Sequence, residues 1–423
     1  PGGAIEPLFN DLARSERSAG PKAGVCRHET GAAFMADGYA RNSGKVGVCC
    51  STTGPGATNL ITGVASAYEN NIPLLVITAQ TAVNNFGRKA LQESGDTGIN
   101  TIGMFQYCTQ YNTLVSHIDQ FEHKLVSALM KATQHSCPVH LSIPLNVLSS
   151  AVNNAQPKFD VRTLSLPARL CDDLGVQNLV KHLKQSRKIV FVLGGGSSEA
   201  ISLILRAAIL LNATIVTTLD GKGLISPYHP LFFGVIGFGG HQEANDALAD
   251  KDVDTVVAIG ATLGEWSSCG WDETLLLNER LIHIDPIDDH HTRSPMARLH
   301  IRGHLTATFE KLLPLIDDPK CVTNLTPCPK KMGATKVNGQ HLHWLNRSSK
   351  QKLEKNWLSK ITQPQWLMSQ LTSYFPAHAK YLIDAGNSLA WAVNYLHQFD
   401  RPHLERRRIE PVIDIPISFT PFL

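Results

Sequence analysis

No stretch of the 423 residues approaches the ~18 consecutive apolar residues that a membrane-crossing helix needs, so no span is expected. No signal-peptide pattern is visible either, and a cytoplasmic setting is expected. Charge of one sign is also lacking: 39 Lys and Arg stand against 36 Asp and Glu. Without a long basic run, or a basic patch interleaved with aromatics, nucleic acid is not an expected partner. Metal-ligand spacing is missing as well. The nine cysteines sit in apolar settings such as Cys49-Cys50, and neither Cys321-x6-Cys328 nor His290-His291 is spaced to hold an ion. They are expected to be reduced and structural. No spaced G-x-G-x-x-G with an acidic residue ~20 positions later supports a dinucleotide fingerprint. What remains is a chain long enough for two or three domains. Its apolar content of 43% and charged content of 18% suit an α/β protein.

The most informative stretch runs from Cys26 to Asn59. From Glu29, small or apolar residues recur at Ala32, Ala33, Ala36, Tyr39 and Ala40, a helical stripe of period near 3.6. Arg41 lies in its last turn and Gly44 just beyond, as a helix carboxyl end prefers. Val46 to Cys50 reads as a short apolar strand, Thr53-Gly54-Pro55-Gly56 as a tight connection, and Ala57 as the start of another helix. The glycines tolerate positive φ and let a ligand approach the backbone. A carboxylate beside such a turn can grip a flat heterocycle. The plain alternative is an ordinary βαβ unit whose Glu is solvated at a helix start, where negative charge is favoured anyway.

Arg27-His28-Glu29 with Gly31-Ala32-Ala33 and Ala36-Asp37-Gly38-Tyr39-Ala40-Arg41, followed by Gly54-Pro55-Gly56-Ala57-Thr58-Asn59, resembles the pyrimidine-binding domain of thiamine-diphosphate enzymes. The acetolactate and acetohydroxyacid synthases are the nearest in pattern. The likeness continues through Ala65-Ser66-Ala67-Tyr68, the strand Pro73 to Thr78 and the closing strand Cys137 to Pro144. The resemblance implies that Glu29 hydrogen-bonds N1′ of the aminopyrimidine and favours its imino tautomer, which deprotonates C2 of the thiazolium. It implies cofactor contacts from Gly54, Pro55, Gly56 and Asn59. Leu91-Gln92-Glu93 looks like the family's Phe-Gln-Glu segment, which gives Gln92 a place near the reacting groups; as a loop residue it could equally have no role.

A second block alternates strands and helices. Lys188 to Leu193 ends in Gly194-Gly195-Gly196, with Ser197 expected to cap a helix running to Leu211. Strands follow at Thr214 to Thr218, Asp254 to Ile259 and Leu281 to Ile284, the first leaving through Asp220-Gly221-Lys222-Gly223. Strand, Gly-rich loop and helix in succession mean a parallel, doubly wound sheet, so the fold class is α/β. This block resembles the family's central domain. In acetohydroxyacid synthases that domain holds FAD without using it for redox chemistry. The Gly194 to Gly196 turn is where its phosphates would sit, whereas Gly260-Ala261-Thr262-Leu263-Gly264-Glu265-Trp266 departs from the acidic-arginine run of the FAD-binding members.

Four segments are expected: a pyrimidine-binding domain over 1–150 lacking its first strand, a central domain over 165–317, a linker over 318–360, and the start of a diphosphate-binding domain over 361–423. Pro364 to Phe375 reads as an amphipathic helix and Ala379 to Ile383 as a strand. By resemblance Gly386, Asn387 and Ser388 touch the diphosphate. The Gly-Asp-Gly motif and downstream Asn that hold Mg²⁺ in the family are absent, and a charged, proline-rich tail follows Asp400. No metal ligand is therefore expected within this chain, which reads as carboxyl-terminally incomplete. Three readings compete. One is a thiamine-diphosphate-dependent enzyme acting with Mg²⁺ on 2-keto acids, pyruvate above all, as a homodimer or tetramer. Another is an inactive homologue or regulatory partner that keeps the fold and dimer surface. The last is a nucleotide-binding module.

Overall fold

A computed structural model of the chain describes residues 2–151, 169–317, 364–376, 379 and 381–397. The expected linker over 318–360 and the tail after Asp400 lie outside the described residues. The chain divides into two compact units, residues 1–168 and 169–423.

The first unit is built on four parallel strands, β1 (Gly47–Ser51), β2 (Leu74–Gln80), β3 (Tyr111–Leu114) and β4 (Val139–Pro144), in the order β1-β2-β4-β3. β2 and β4 are central and buried on both faces; β2 is a near-continuous apolar run, whereas β4 carries the buried polar residues His140 and Ser142. Fully buried His140 ties this sheet together. Its Nε2 lies 2.8 Å from Thr78 Oγ1 and its Nδ1 2.7 Å from Asn112 Oδ1. Asn112 Nδ2 donates to the Ile102 carbonyl, so its Oδ1 must accept from Nδ1–H and the Thr78 hydroxyl donates to Nε2. Phe105 stacks on the ring at 4.2 Å. The strand at Tyr111–Leu114 was not expected from the sequence. It is four residues long, with every position only half-buried, so no strong apolar signal marks it.

The second unit carries six parallel strands: β5 (Ile189–Leu193), β6 (Thr214–Thr217), β7 (Phe232–Val235), β8 (Thr255–Ile259), β9 (Leu281–Asp285) and β10 (Leu299–Arg302). Their order is β10-β9-β8-β5-β6-β7. The chain winds outward through β6 and β7, then resumes on the other side of β5 at β8. Successive side chains alternate faces. Phe191, Ile215, Val257 and Ile282 pack against one layer of helices, while Val190, Val192, Val216 and Val256 pack with Ala244 and Leu248 on the other. The doubly wound α/β class read from the sequence is the fold observed. At 25 cal/mol per Å², each such fully buried Val, Ile or Phe contributes roughly 1.5–3 kcal/mol of transfer free energy.

Two local expectations are corrected. Ser197 does not cap a helix. Its hydroxyl donates to the Gly194 carbonyl at 2.6 Å within a 3-10 turn over Gly195–Ala200, and the α-helix begins only at Ile201. No strand forms at residues 381–383, where Leu382 is exposed and no described strand lies alongside to complete a ladder.

Burial pushes His140 down to about 3 and His283, held between Ser294 Oγ and the Ala261 carbonyl, down to about 4. Both rings are neutral in the folded state, whereas the unfolded chain takes up protons below its pKa of ~6.5. The stability they support is therefore present above that value and is lost as pH falls toward 4, by about 1.4 kcal/mol per pH unit for each ring. Urea midpoints at pH 7.5, 6 and 5 should fall progressively; a flat series would contradict the neutral buried rings.

Candidate active site

Glu29 is the first residue of the helix Glu29–Ser43. His28 precedes it in extended conformation and accepts the Thr30 N–H on Nδ1 at 3.2 Å, which caps the helix. The left-handed Gly44 ends it, as the sequence implies. Ala33, Ala36 and Ala40 face inward because the neighbouring helix Ile61–Glu69 approaches closely: a Cβ on Gly63 would lie 2.5 Å from the Cβ of Ala33. Asp37 and Arg41, also part of the motif, form a buried i,i+4 ion pair at 2.7 Å and serve the helix itself.

The strand β1 delivers the chain to Gly54, whose φ of 64° and ψ of −121° suit glycine alone. Pro55 then opens the short helix Pro55–Asn59, two residues earlier than expected, with its fixed φ already helical. Asn59 closes the turn back onto Glu29. Its Nδ2 donates to Glu29 Oε2 at 3.0 Å, and its carbonyl accepts from Thr30 Oγ1 at 2.6 Å. A Cβ on Gly56 would stand 3.4 Å from Glu29 Oε1 and 2.9 Å from Thr52 Cγ2. One carboxylate oxygen is therefore fixed by Asn59 while the other lies over bare backbone. Glu29 itself is half-buried.

Gln92 packs on the same turn from the other side. It holds a left-handed φ of 58°, and a Cβ on Gly54 would lie 3.0 Å from its own. Its carbonyl accepts from Thr53 Oγ1 at 2.9 Å and its side chain is exposed. Gln80, buried at the end of β2, holds this arrangement. Its Oε1 accepts the N–H groups of Thr81 at 2.9 Å and Ser94 at 3.2 Å, and Thr53 Oγ1 lies 2.6 Å from Ser94 Oγ. Backbone N–H groups only donate, which fixes the amide orientation. Sequence reasoning missed Gln80, Thr53 and Ser94, because residues 14 to 41 positions apart leave no spacing to read. Glu93 closes its own loop on Gly87 N and Ala90 N, and the Gly87 bond first of all holds its carboxyl below the usual range.

The structure thus brings Glu29, Gly54, Pro55, Gly56, Asn59 and Gln92 together in the first unit. Gly386, Asn387 and Ser388 stand in the second, at the start of the helix Asn387–Tyr395. Gly386 has a φ of 92°, and Ser388 Oγ donates to the Asp384 carbonyl at 3.1 Å. The half-buried Glu29 carboxylate, one oxygen fixed by Asn59 and the other beside the Gly56 backbone, is the kind of acceptor an aminopyrimidine edge needs.

The central glycine turn does not fit a dinucleotide's phosphates. Its four consecutive N–H groups are already engaged: Gly194 with the Ile259 carbonyl, Gly195 with Asp220 Oδ2, Gly196 with the Gly260 carbonyl and Ser197 with the Gly194 carbonyl, at 3.0 to 3.1 Å. The Asp220 carboxylate occupies the position an anion would need, so the phosphate and FAD role that this turn raised as a possibility finds no support in the geometry. Among the described residues no group of three or more His, Cys, Asp or Glu could hold a metal ion, and no helix is long and apolar enough to cross a membrane.

Comparison with known proteins accords with this geometry. Residues 1–99 match the N-terminal TPP binding domain of thiamine pyrophosphate enzymes, and residues 176–312 match the central domain of the same enzymes. The chain belongs to the thiamine pyrophosphate enzyme family. Relatives include a probable acetolactate synthase large subunit of Methanococcus aeolicus, 34% identical over 67% of this chain and 47% of that protein. The acetolactate synthase large subunit of Cyanidium caldarium is 29% identical, and isozyme 2 of Escherichia coli (strain K12) 27%, each over 94% of this chain and 66% of the relative. The chain thus spans between about half and two thirds of the length of these relatives.

The Asn59–Glu29 contact makes a direct prediction. Asn59→Asp sets two carboxylates against each other in a half-solvated site, a repulsion of roughly 1 kcal/mol when both are ionised. The variant should fall below the parent in urea midpoint at pH 8. Equal midpoints would mean that the two side chains do not meet.

Proposed function

We propose that this chain takes part in thiamine-diphosphate-dependent decarboxylation and carboligation of 2-keto acids, with pyruvate as the donor. The observation that carries the reading is the Glu29 carboxylate, clasped by Asn59 at 3.0 Å and facing the bare backbone of Gly56. Thiamine diphosphate, when bound, supplies the electron sink for the carbanion chemistry of such reactions. Glu29 would hold a proton against a ring nitrogen, a task for a carboxylate partly withdrawn from water and kept at one position. Asn59 orients that carboxylate, and Gly54, Pro55 and Gly56 would set backbone against a flat ring held there.

Gln92 offers its exposed amide to a substrate from the opposite side of Gly54. Gly386, Asn387 and Ser388 would face the diphosphate from a helix amino end, where an anion is favoured. Mg²⁺ would accompany that diphosphate. The relatives are named large subunits, which favours an assembly, and we read this chain as working in a homodimer or tetramer in the cytoplasm.

Calorimetric titration of the full chain with thiamine diphosphate and Mg²⁺, beside Glu29→Gln, tests the reading. Micromolar binding is expected, weakened roughly tenfold or more by the substitution as a charged hydrogen bond is lost. Pyruvate consumption should disappear in Glu29→Gln while its far-UV spectrum is retained. If neither chain binds the cofactor, the protein is a partner that keeps the fold without the chemistry.

A further inference from the structure

The helix Asn387–Tyr395 is nine residues long, too short to persist alone in water. A helix end also leaves carbonyls without partners. Here the Leu396 N–H takes the Ala392 carbonyl, and the next two carbonyls, of Val393 and Asn394, are met by side chains from elsewhere. The Lys222 ammonium donates to Val393 O at 2.9 Å; it is 7% exposed and among the described residues has no carboxylate partner. His241 accepts the Val235 N–H on Nδ1 at 2.9 Å, so its Nε2 carries the hydrogen and donates to Asn394 O at 3.2 Å. His397 Nε2 donates to the same oxygen at 2.7 Å.

The contact continues beyond the carbonyls. Asn394 Nδ2 reaches back to the Gly240 carbonyl at 3.0 Å, and a Cβ on Gly239 would lie 2.9 Å from Ala390 Cα. Leu389 and Val393 pack with Leu219 and Val235 in a small apolar cluster. Burial pushes Lys222 down to about 7, and the negative end of a helix is among the few environments that favour its charged form. That makes the contact specific to this placement of the helix.

We infer that Lys222 is a positioning residue. With His241 it clasps the carboxyl end of the Asn387–Tyr395 helix, and so sets where Gly386, Asn387 and Ser388 stand at the other end. The clasp depends only on contacts within the second unit; its meaning for the diphosphate rests on the cofactor reading above.

Hydrogen–deuterium exchange of the full chain, parent against Lys222→Met, reads the clasp without any cofactor. Amides of residues 387–397 should exchange at least about tenfold faster, while those of β5 and β8 keep their protection. Should Lys222→Met fail to fold, His241→Ala removes the other donor of the clasp, the one that meets the Asn394 carbonyl, and is expected to behave alike. Unchanged exchange over 387–397 in the folded variant overturns the inference. Titration of the same proteins with thiamine diphosphate and Mg²⁺ reads the second half. Weaker binding in step with the opened helix supports a positioning role, and undiminished binding reduces Lys222 to a structural clasp. A parent chain that binds no cofactor sinks the cofactor reading and the positioning role with it, yet faster exchange would still establish the clasp.

Discussion

Parallel strands covered on both faces leave no solvent-facing site within the sheet, and that constraint shapes much else in this protein. Each strand must discharge its chain at the carboxyl end, where several loops crowd together and backbone meets backbone. Gly54 lies against Gln92 after β1, and Gly194 lies against Gly260 between β5 and β8. Such crowding demands glycine on steric grounds alone, so a Gly-rich loop in this fold is first a packing solution. Whether it is also a binding site depends on what its N–H groups and neighbouring side chains are doing.

The two units answer that question differently. In the second, the turn after β5 is closed upon itself, every N–H from Gly194 to Ser197 being engaged and Asp220 standing in as the resident anion. In the first, the turn after β1 is held by Gln80, Thr53 and Ser94, and the carboxylate beside it, Glu29, is half-buried with one oxygen near the Gly56 backbone. The same sequence signal, a short run of glycines after an apolar strand, thus carries a resident Asp220 carboxylate on its N–H groups in one unit and stands beside the Glu29 carboxylate in the other.

Buried polar groups supply the other organising theme. His140 joins β2 to β4 and reaches Asn112 on β3, and Lys222 with His241 holds the helix after Gly386. Each is satisfied by a specific oxygen, which makes these groups sources of register and placement more than of net stability.

Much of this was legible in the chain itself. The stripe from Ala32 to Ala40, Gly44 beyond it, the apolar strands and the long match around Glu29 arise from local periodicity, and local periodicity survives folding because helices and buried strands impose it. The partners of those residues were not legible. That Asn59 clasps Glu29, that Gln80 carries the loop bearing Gln92, that Asp220 fills the second glycine turn, and that Lys222 meets a carbonyl 171 positions away are decided by contacts between distant segments. Ser197 shows the same limit: its hydroxyl donates to the Gly194 carbonyl three residues back, within a 3-10 turn that the sequence does not announce. Sequence determined the elements and the residue types at their ends; only the tertiary structure decided which polar groups were left free, since that depends on every neighbour within hydrogen-bond reach.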